Sequence, residues 1–260
     1  VIGLSGGADS TLVALLAVEA LGAENVYGVH MPYGDIDTTK FNARSNKFAD
    51  SLGITSFNVP IRKATDDVLN AVKLTMQVTP PVDVLTNGNT RARIRMTTLY
   101  AVASELGVLG KSARVMNTCN MSETFIGYDT KYGDGAGDIA PILPLYKSDV
   151  YQLLADYMDA GKLDKELIDF NPSAGLWDGQ SDASELGDEF NDFCGGDNPD
   201  QLLSYNDMES GVKYCLDNYD DLIGGLFALP VSPITEFVWH KHVTNLHKQN
   251  DMPSTTRKGW

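Results

Sequence analysis

The chain has 260 residues, 43% of them hydrophobic, enough for one substantial core with a small accessory lobe. Its formal net charge of -15 argues against a nucleic-acid surface, which shows as a basic patch, so any anionic ligand must be held by a local concentration of positive groups. No apolar run approaches the ~20 residues that span a bilayer, the start VIGLSGG lacks the regions of a signal peptide, and Cys119, Cys194 and Cys215 form no CxxC pair. The expectation is a soluble, cytoplasmic protein without membrane or nucleic-acid partners.

Taken in order, the elements alternate. Val1 to Leu4 reads as a strand, followed by a Gly-rich turn and an apolar helix pattern from Ser10 to Leu21 that Gly22 stops. Val26 to Met31 and Thr55 to Pro60 are β-rich runs separated by an amphipathic segment from Thr38 to Leu52. Helical patterns follow at Ala64 to Gln77 and Thr90 to Leu106, then a short run from Ala113 to Asn117. Strands alternating with helices predict an α/β fold with a doubly wound, mostly parallel sheet and helices on both faces. Such sheets bind ligands beyond the carboxyl ends of their strands.

After Pro144 helices are expected at Ser148 to Ala160 and Asp164 to Phe170, then a loop-rich acidic stretch from Asp178 to Asp200 that reads as a lid or a solvated insertion. One more helix and a His/Lys tail complete the chain. The expected division is a nucleotide-binding α/β core over 1–147 and a helical, loop-rich part over 148–260.

Ser5-Gly6-Gly7-Ala8-Asp9-Ser10-Thr11 lies between a strand and a helix. Its glycines let the backbone approach a ligand, and the N–H groups of the helix start point toward it, a geometry that favours a phosphate chain. Ser5, Ser10 and Thr11 add hydroxyls, whereas Asp9 repels a phosphate unless a divalent cation stands between them. The plainer reading is a turn in which Asp9 and Ser10 cap the helix. The loop lacks the GK[ST] of a Walker A motif and is not GxGxxG.

SGGADS resembles the SGGxDS loop of the PP-loop ATP pyrophosphatases. Asn89-Thr90-Arg91-Ala92-Arg93-Ile94-Arg95-Met96, Thr118 to Glu123 and Thr130-Lys131-Tyr132-Gly133-Asp134-Gly135 resemble, in the same order, segments of the NAD synthetases. Asp138, Pro141, Leu145, Lys147, Asn171 to Leu176, Gln180-Ser181-Asp182 with Glu185-Leu186-Gly187, His247-Lys248 and Pro253 continue the pattern. Asn117, Ser173 and Gln249 depart from it, standing where that family usually has Gly, Thr and Arg. The resemblance implies ATP-dependent amidation of deamido-NAD with ammonia through an adenylated intermediate, in a homodimer. It assigns ATP to Ser5, Gly6, Gly7, Asp9, Ser10, Thr11, Thr118, Lys147 and Ser173. Deamido-NAD falls to Asn89, Arg93, Lys131, Asp138, His247 and Lys248, Mg²⁺ to Asp9 and Glu123, and catalysis to Asp9 and Lys147.

The residue chemistry is compatible. A helix over Asn89 to Tyr100 puts Asn89, Arg93, Met96 and Tyr100 on one stripe, and Arg93 can grip a carboxylate or phosphate bidentately. Arg91 and Arg95 are expected to solvate the opposite face. Glu123 reads equally as a first-turn acid favoured by the helix dipole, and Lys147 as a surface lysine at a helix start. Two other classes fit the ATP loop: another PP-loop synthetase or sulfur-transfer enzyme, and a regulatory nucleotide-binding module. Sulfur transfer calls for a reactive Cys pair and a basic RNA surface, and Cys119 reads as a buried structural thiol.

Overall fold

The computed structural model describes residues 1–34, 42–77, 83–168, 181–196, 202–224 and 232–249. Three short strands, β1 (Ile2–Gly3), β2 (Tyr27–His30) and β3 (Thr55–Asn58), run parallel, β1 beside β2 and β2 beside β3. Ile2 is in register with Gly28, and Tyr27 with Thr55. On the other side of β1, Met116 pairs with Ile2 and Ile139 pairs with Met116, both in parallel. The strand expected over 113–117 is thus reduced to one paired residue. It is held by the Met116 N–H on the Val1 carbonyl at 2.9 Å and the Asn117 N–H on the Ile139 carbonyl at 2.8 Å.

Ten α-helices are present among the described residues: α1 (Ala8–Leu21), α2 (Asn42–Leu52), α3 (Arg62–Met76), α4 (Val84–Val108), α5 (Met121–Ile126), α6 (Lys147–Asp159), α7 (Asp182–Cys194), α8 (Tyr205–Asp217), α9 (Tyr219–Ile223) and α10 (Pro233–Gln249). Alternation of side chains along a strand explains why they form two layers on the sheet. Ile2 and Leu4 enter a cluster with Leu12, Val13, Phe48, Ala49, Val150 and Leu154, supplied by α1, α2 and α6. Val1 and Val29 face the other way, onto Leu106 of α4. Each such side chain, fully buried, stabilises the fold by roughly 1.5–3 kcal/mol. The doubly wound parallel sheet with helices on both faces is therefore the architecture found.

Chain direction along this sheet reverses at β1. The path runs outward through β2 and β3, then crosses back through α3 and α4 to Met116 on the opposite side of β1. A crevice outside the carboxyl ends of β1 and Met116 is the point at which such sheets bind ligands. The turn 5–7 and the segment 117–120 both leave the sheet there.

A third cluster gathers Phe125 and Ile126 of α5 with Leu186, Phe190, Met208, Val212, Phe237, Val238 and Trp239 of the later helices. Two expectations change here. The stretch 182–194, read as part of a loop, is helix α7, because Ser181 caps it by accepting from the Ser184 N–H and because Leu186 and Phe190, one turn apart, enter the third cluster. Where one more helix was expected, α8, α9 and α10 are found; α8 and α10 approach closely where Gly211 faces Thr235 and Val238, and both helices feed the third cluster. The helix expected over 164–170 is a 3-10 turn at Lys165–Leu167 in its described part. Segments 38–41, 169–180, 197–200 and 250–260, which include Ser173, Gln180 and Pro253, lie outside the described residues.

Candidate functional site

Helix α1 begins at Ala8, two residues before the sequence pattern suggests, so Asp9 and Ser10 lie inside its first turn instead of capping it. No side chain caps this helix at Gly7, which leaves its first N–H groups directed at the crevice. The hydroxyls of the loop shape it from within. Ser5 Oγ accepts from the Gly7 N–H at 3.2 Å, and Ser10 Oγ and Thr11 Oγ1 donate to the Gly7 carbonyl at 3.2 and 2.8 Å.

Asp9, Glu123 and Lys147, far apart in sequence, meet in this crevice. Lys147 Nζ donates to Asp9 Oδ2 at 2.5 Å and to Glu123 Oε1 at 3.0 Å. Although it opens α6, Lys147 is only 3% exposed, which removes the surface-lysine reading. Burial opposes its charge, but Glu123 and Asp9 override burial and hold its pKa above the ordinary lysine range. Burial, followed by repulsion from Asp9, pushes Glu123 up to about 7 against the attraction of Lys147. Two carboxylates thus face one ammonium, a site with one negative charge in excess when all three are ionised.

Two side chains that sequence reasoning missed build this geometry. Asn120, fully buried, donates from Nδ2 to Asp9 Oδ1 at 3.0 Å while its Oδ1 accepts the Glu123 N–H at 3.1 Å. It caps α5 and fixes Asp9 together. The signal was available, since Asn followed three residues later by Glu has the spacing of a helix-capping box. Ser122 Oγ accepts the Lys147 N–H at 3.1 Å, tying the start of α6 to α5. Asn120→Ala is expected to lower unfolding stability by about 1–2 kcal/mol through loss of the cap. Asn120→Ser should recover most of that in thermal unfolding, and equal losses for both variants would argue that the capping bond is not what matters.

The stripe on α4 has an unforeseen neighbour. Thr130 Oγ1 donates to Asn89 Oδ1 at 2.6 Å, Arg93 Nε to the Lys131 carbonyl at 3.2 Å, and Tyr100 Oη to Asp138 Oδ1 at 3.2 Å. Three of the four stripe residues therefore hold the segment 130–138. Arg91 and Arg95 do not solvate the opposite face as expected. Arg91 is 5% exposed and stacks 4.2 Å from the Tyr33 ring centre, and Arg95 Nε donates to the Met31 carbonyl at 3.3 Å. The reason is that α4 is covered on that side too, by the segment leaving β2, where a planar guanidinium can lie on an aromatic face.

Helix α10 closes the other end. His242, Asn245, Lys248 and Gln249 reach the carbonyls of Phe125, Ile126, Gly127 and Thr124 respectively, satisfying the acceptors that the end of α5 leaves over. Lys248 also donates to the Asp129 carbonyl at 2.8 Å, and Lys131 Nζ donates to the His247 carbonyl. Asn89, Arg93, Lys131, Asp138, His247 and Lys248 are thereby brought around one segment, 127–138. Helix α5 links it to the Asp9–Lys147 group, carrying Glu123 in its first turn and capped at its end by Gly127. Thr118 directly follows the paired Met116–Asn117 segment. Cys119 is buried, donates from Sγ to the Asp134 carbonyl at 3.4 Å, and has its thiol raised well above the ordinary range by burial. Among the described residues no helix is long and apolar enough to cross a membrane.

A helix start open to anions and a charged cluster at the switch point of a parallel sheet define a protein of the doubly wound α/β class, with its crevice where such folds bind ligands. The sequence profile of the NAD synthase family matches residues 1–213, and the chain belongs to that family. It is 42% identical to an NH3-dependent NAD+ synthetase of Methanococcoides burtonii over 190 residues, 72% of this chain and 66% of that relative. Identity to the Pyrococcus furiosus protein of the same name is 37%, with the same shares covered, so these alignments span just under two thirds of both relatives. Among solved structures, NMN synthetase from Francisella tularensis superposes with a TM-score of 0.70 at 28% identity, covering 98% of this chain and 88% of that one. The NH3-dependent NAD synthetase of Campylobacter jejuni, in complex with nitrate, gives 0.65 at 25% identity over the same shares.

Proposed function

We propose that the protein converts deamido-NAD to NAD with ATP and ammonia, through an adenylated deamido-NAD, releasing AMP and pyrophosphate. The observation that carries this reading is the convergence of Asp9, Glu123 and Lys147 at the mouth of the Gly6-Gly7 turn. The phosphates of ATP lie against the turn formed by Ser5, Gly6, Gly7, Ser10 and Thr11, with Thr118 and Lys147 completing that site among the described residues; Ser173 is assigned to ATP by resemblance alone. Deamido-NAD lies along Asn89, Arg93, Lys131, Asp138, His247 and Lys248.

The donor set fits Mg²⁺. Asp9 and Glu123 are oxygen ligands already aimed at one cation, and Mg²⁺ usually takes one or two carboxylates plus phosphate oxygens and water. Among the described residues no cluster of three or more His, Cys, Asp or Glu surrounds a metal position, so phosphate oxygens and water would have to complete the shell. When bound, Mg²⁺ neutralises charge on the phosphates. In the first step the nicotinate carboxylate attacks the α-phosphorus of ATP and pyrophosphate leaves. Lys147 and the N–H groups of α1 oppose the negative charge that this step concentrates. Ammonia then attacks the acyl adenylate and AMP leaves. Alignment of the two substrates across α5 supplies the rest. The exposed apolar residues Val72, Leu74 and Met76 of α3 and Val84 and Leu85 at the start of α4 are the surface offered to a homodimer.

Incubation with Mg-ATP, ammonium and deamido-NAD is expected to yield NAD and AMP in equal amounts. ADP as product, or AMP release that requires another acceptor, would exclude the assignment. Nicotinate mononucleotide belongs in a parallel incubation, because one structural neighbour is an NMN synthetase. Lys131→Ala is expected to raise KM for deamido-NAD about tenfold or more with a smaller effect on kcat. An unchanged KM would remove Lys131 from that site.

A further inference from the structure

Asn117 is a buried polar residue whose carboxamide is engaged at both ends. Nδ2 donates to the Asp134 carbonyl at 2.8 Å and to the Ala136 carbonyl at 3.3 Å, while Oδ1 accepts the Cys119 N–H at 2.7 Å. Its backbone N–H is committed to Ile139, so the residue is anchored in the sheet while its side chain reaches outward. The side chain is 6% exposed, and the segment it holds wraps it closely: a Cβ added at Gly137 would stand 2.7 Å from the Asn117 Cβ. One amide therefore joins two pieces of chain. The first, 118–120, carries Thr118 and the Asn120 that fixes Asp9; the second, 134–138, leads to Asp138 and belongs to the segment held by Asn89, Arg93 and Tyr100.

We infer that Asn117 is a positioning residue that sets the dinucleotide-holding segment 130–138 against the nucleotide crevice. This rests on the function proposed above. A glycine at 117 leaves the Cys119 N–H and the Asp134 and Ala136 carbonyls without these partners, and the segment free to shift relative to the adenylation centre. Asn117 does not itself touch the Asp9–Lys147 group; its Nδ2 bonds hold the acceptor segment, while its Oδ1 bond to the Cys119 N–H steadies the segment of Thr118 and Asn120, so the two halves of the amide can be tested separately.

Two variants test this. Asn117→Ala removes all three bonds, and the isosteric Asn117→Asp keeps the acceptor for Cys119 while turning a carboxylate toward two carbonyls. Asn117→Asp is expected to raise KM for deamido-NAD about tenfold with KM for ATP and kcat within about twofold of wild type, whereas Asn117→Ala, which also frees the Cys119 N–H, is expected to raise both KM values. Should Asn117→Ala fail to fold, the isosteric variant decides alone. Failure of both to unfold cooperatively would make Asn117 a folding residue and overturn the inference. So would an active wild type with both KM values unchanged, or raised together, in Asn117→Asp. A wild type that makes no NAD under the same conditions would overturn the functional reading and this inference with it.

Discussion

Asp9→Asn is expected to lower kcat by roughly 10³-fold, the scale on which removal of one electrostatic partner of a transition state acts. It should leave KM for deamido-NAD within about threefold. The substitution is nearly isosteric, and Asn120 and Lys147 still fill the space around it. What it removes is one negative charge, which takes the group from two carboxylates around Lys147 to one and abolishes the excess charge that would attract Mg²⁺. Steady-state kinetics over a range of Mg²⁺ and ATP concentrations provide the check. If kcat is retained and only the ATP requirement rises, Asp9 is not a metal ligand in the reaction.

Lys147→Met is expected to be the most destabilising of these substitutions, by about 3 kcal/mol, because it leaves two carboxylates, 19% and 15% exposed, facing each other without their shared cation. The loss should depend on pH, with a definite sign. Glu123 has its folded-state pKa raised from 4.5 to about 7, so the folded state retains a proton that the unfolded chain gives up, and the stability this proton confers is lost as pH rises through that window. Removing Lys147 takes away the attraction that restrains this rise, so the window extends upward, with a slope of at most about 1.4 kcal/mol per pH unit for one proton. The variant should therefore sit closer to wild type at pH 5 than at pH 8. Adding Glu123→Gln should restore stability at pH 8 without restoring turnover. Denaturant unfolding at both pH values measures this directly, and an identical deficit at each would mean that Lys147 does not neutralise the pair.

Much of the scaffold could be read from local pattern. The alternation of short β-rich runs with helices was enough for the parallel sheet, since parallel strands need crossover segments. The spacing on α4 placed Asn89, Arg93 and Tyr100 on one face, and all three turned out to hold the same segment. The glycine-rich turn between a strand and a helix was legible for the same reason: its chemistry is that of consecutive residues. The acidic stretch was harder, because its charge is conspicuous while the two residues that make it a buried helix, Leu186 and Phe190, show only once a surface exists for them to cover.

By itself, the sequence determined which residues share a strand, a helix face or a turn, because backbone periodicity and local stereochemistry act over a few residues. Which side chains meet across the molecule was decided only by the tertiary structure. Lys147 could have been a surface lysine until α6 packed its first turn against α5, and Arg91 a solvated one until Tyr33 covered it. Asn120 and Asn117 are polar residues whose partners lie on other segments. The physical reason is that burial makes an unpaired charge or amide costly, so these groups take the partner that packing brings near, and that partner is set by the whole chain.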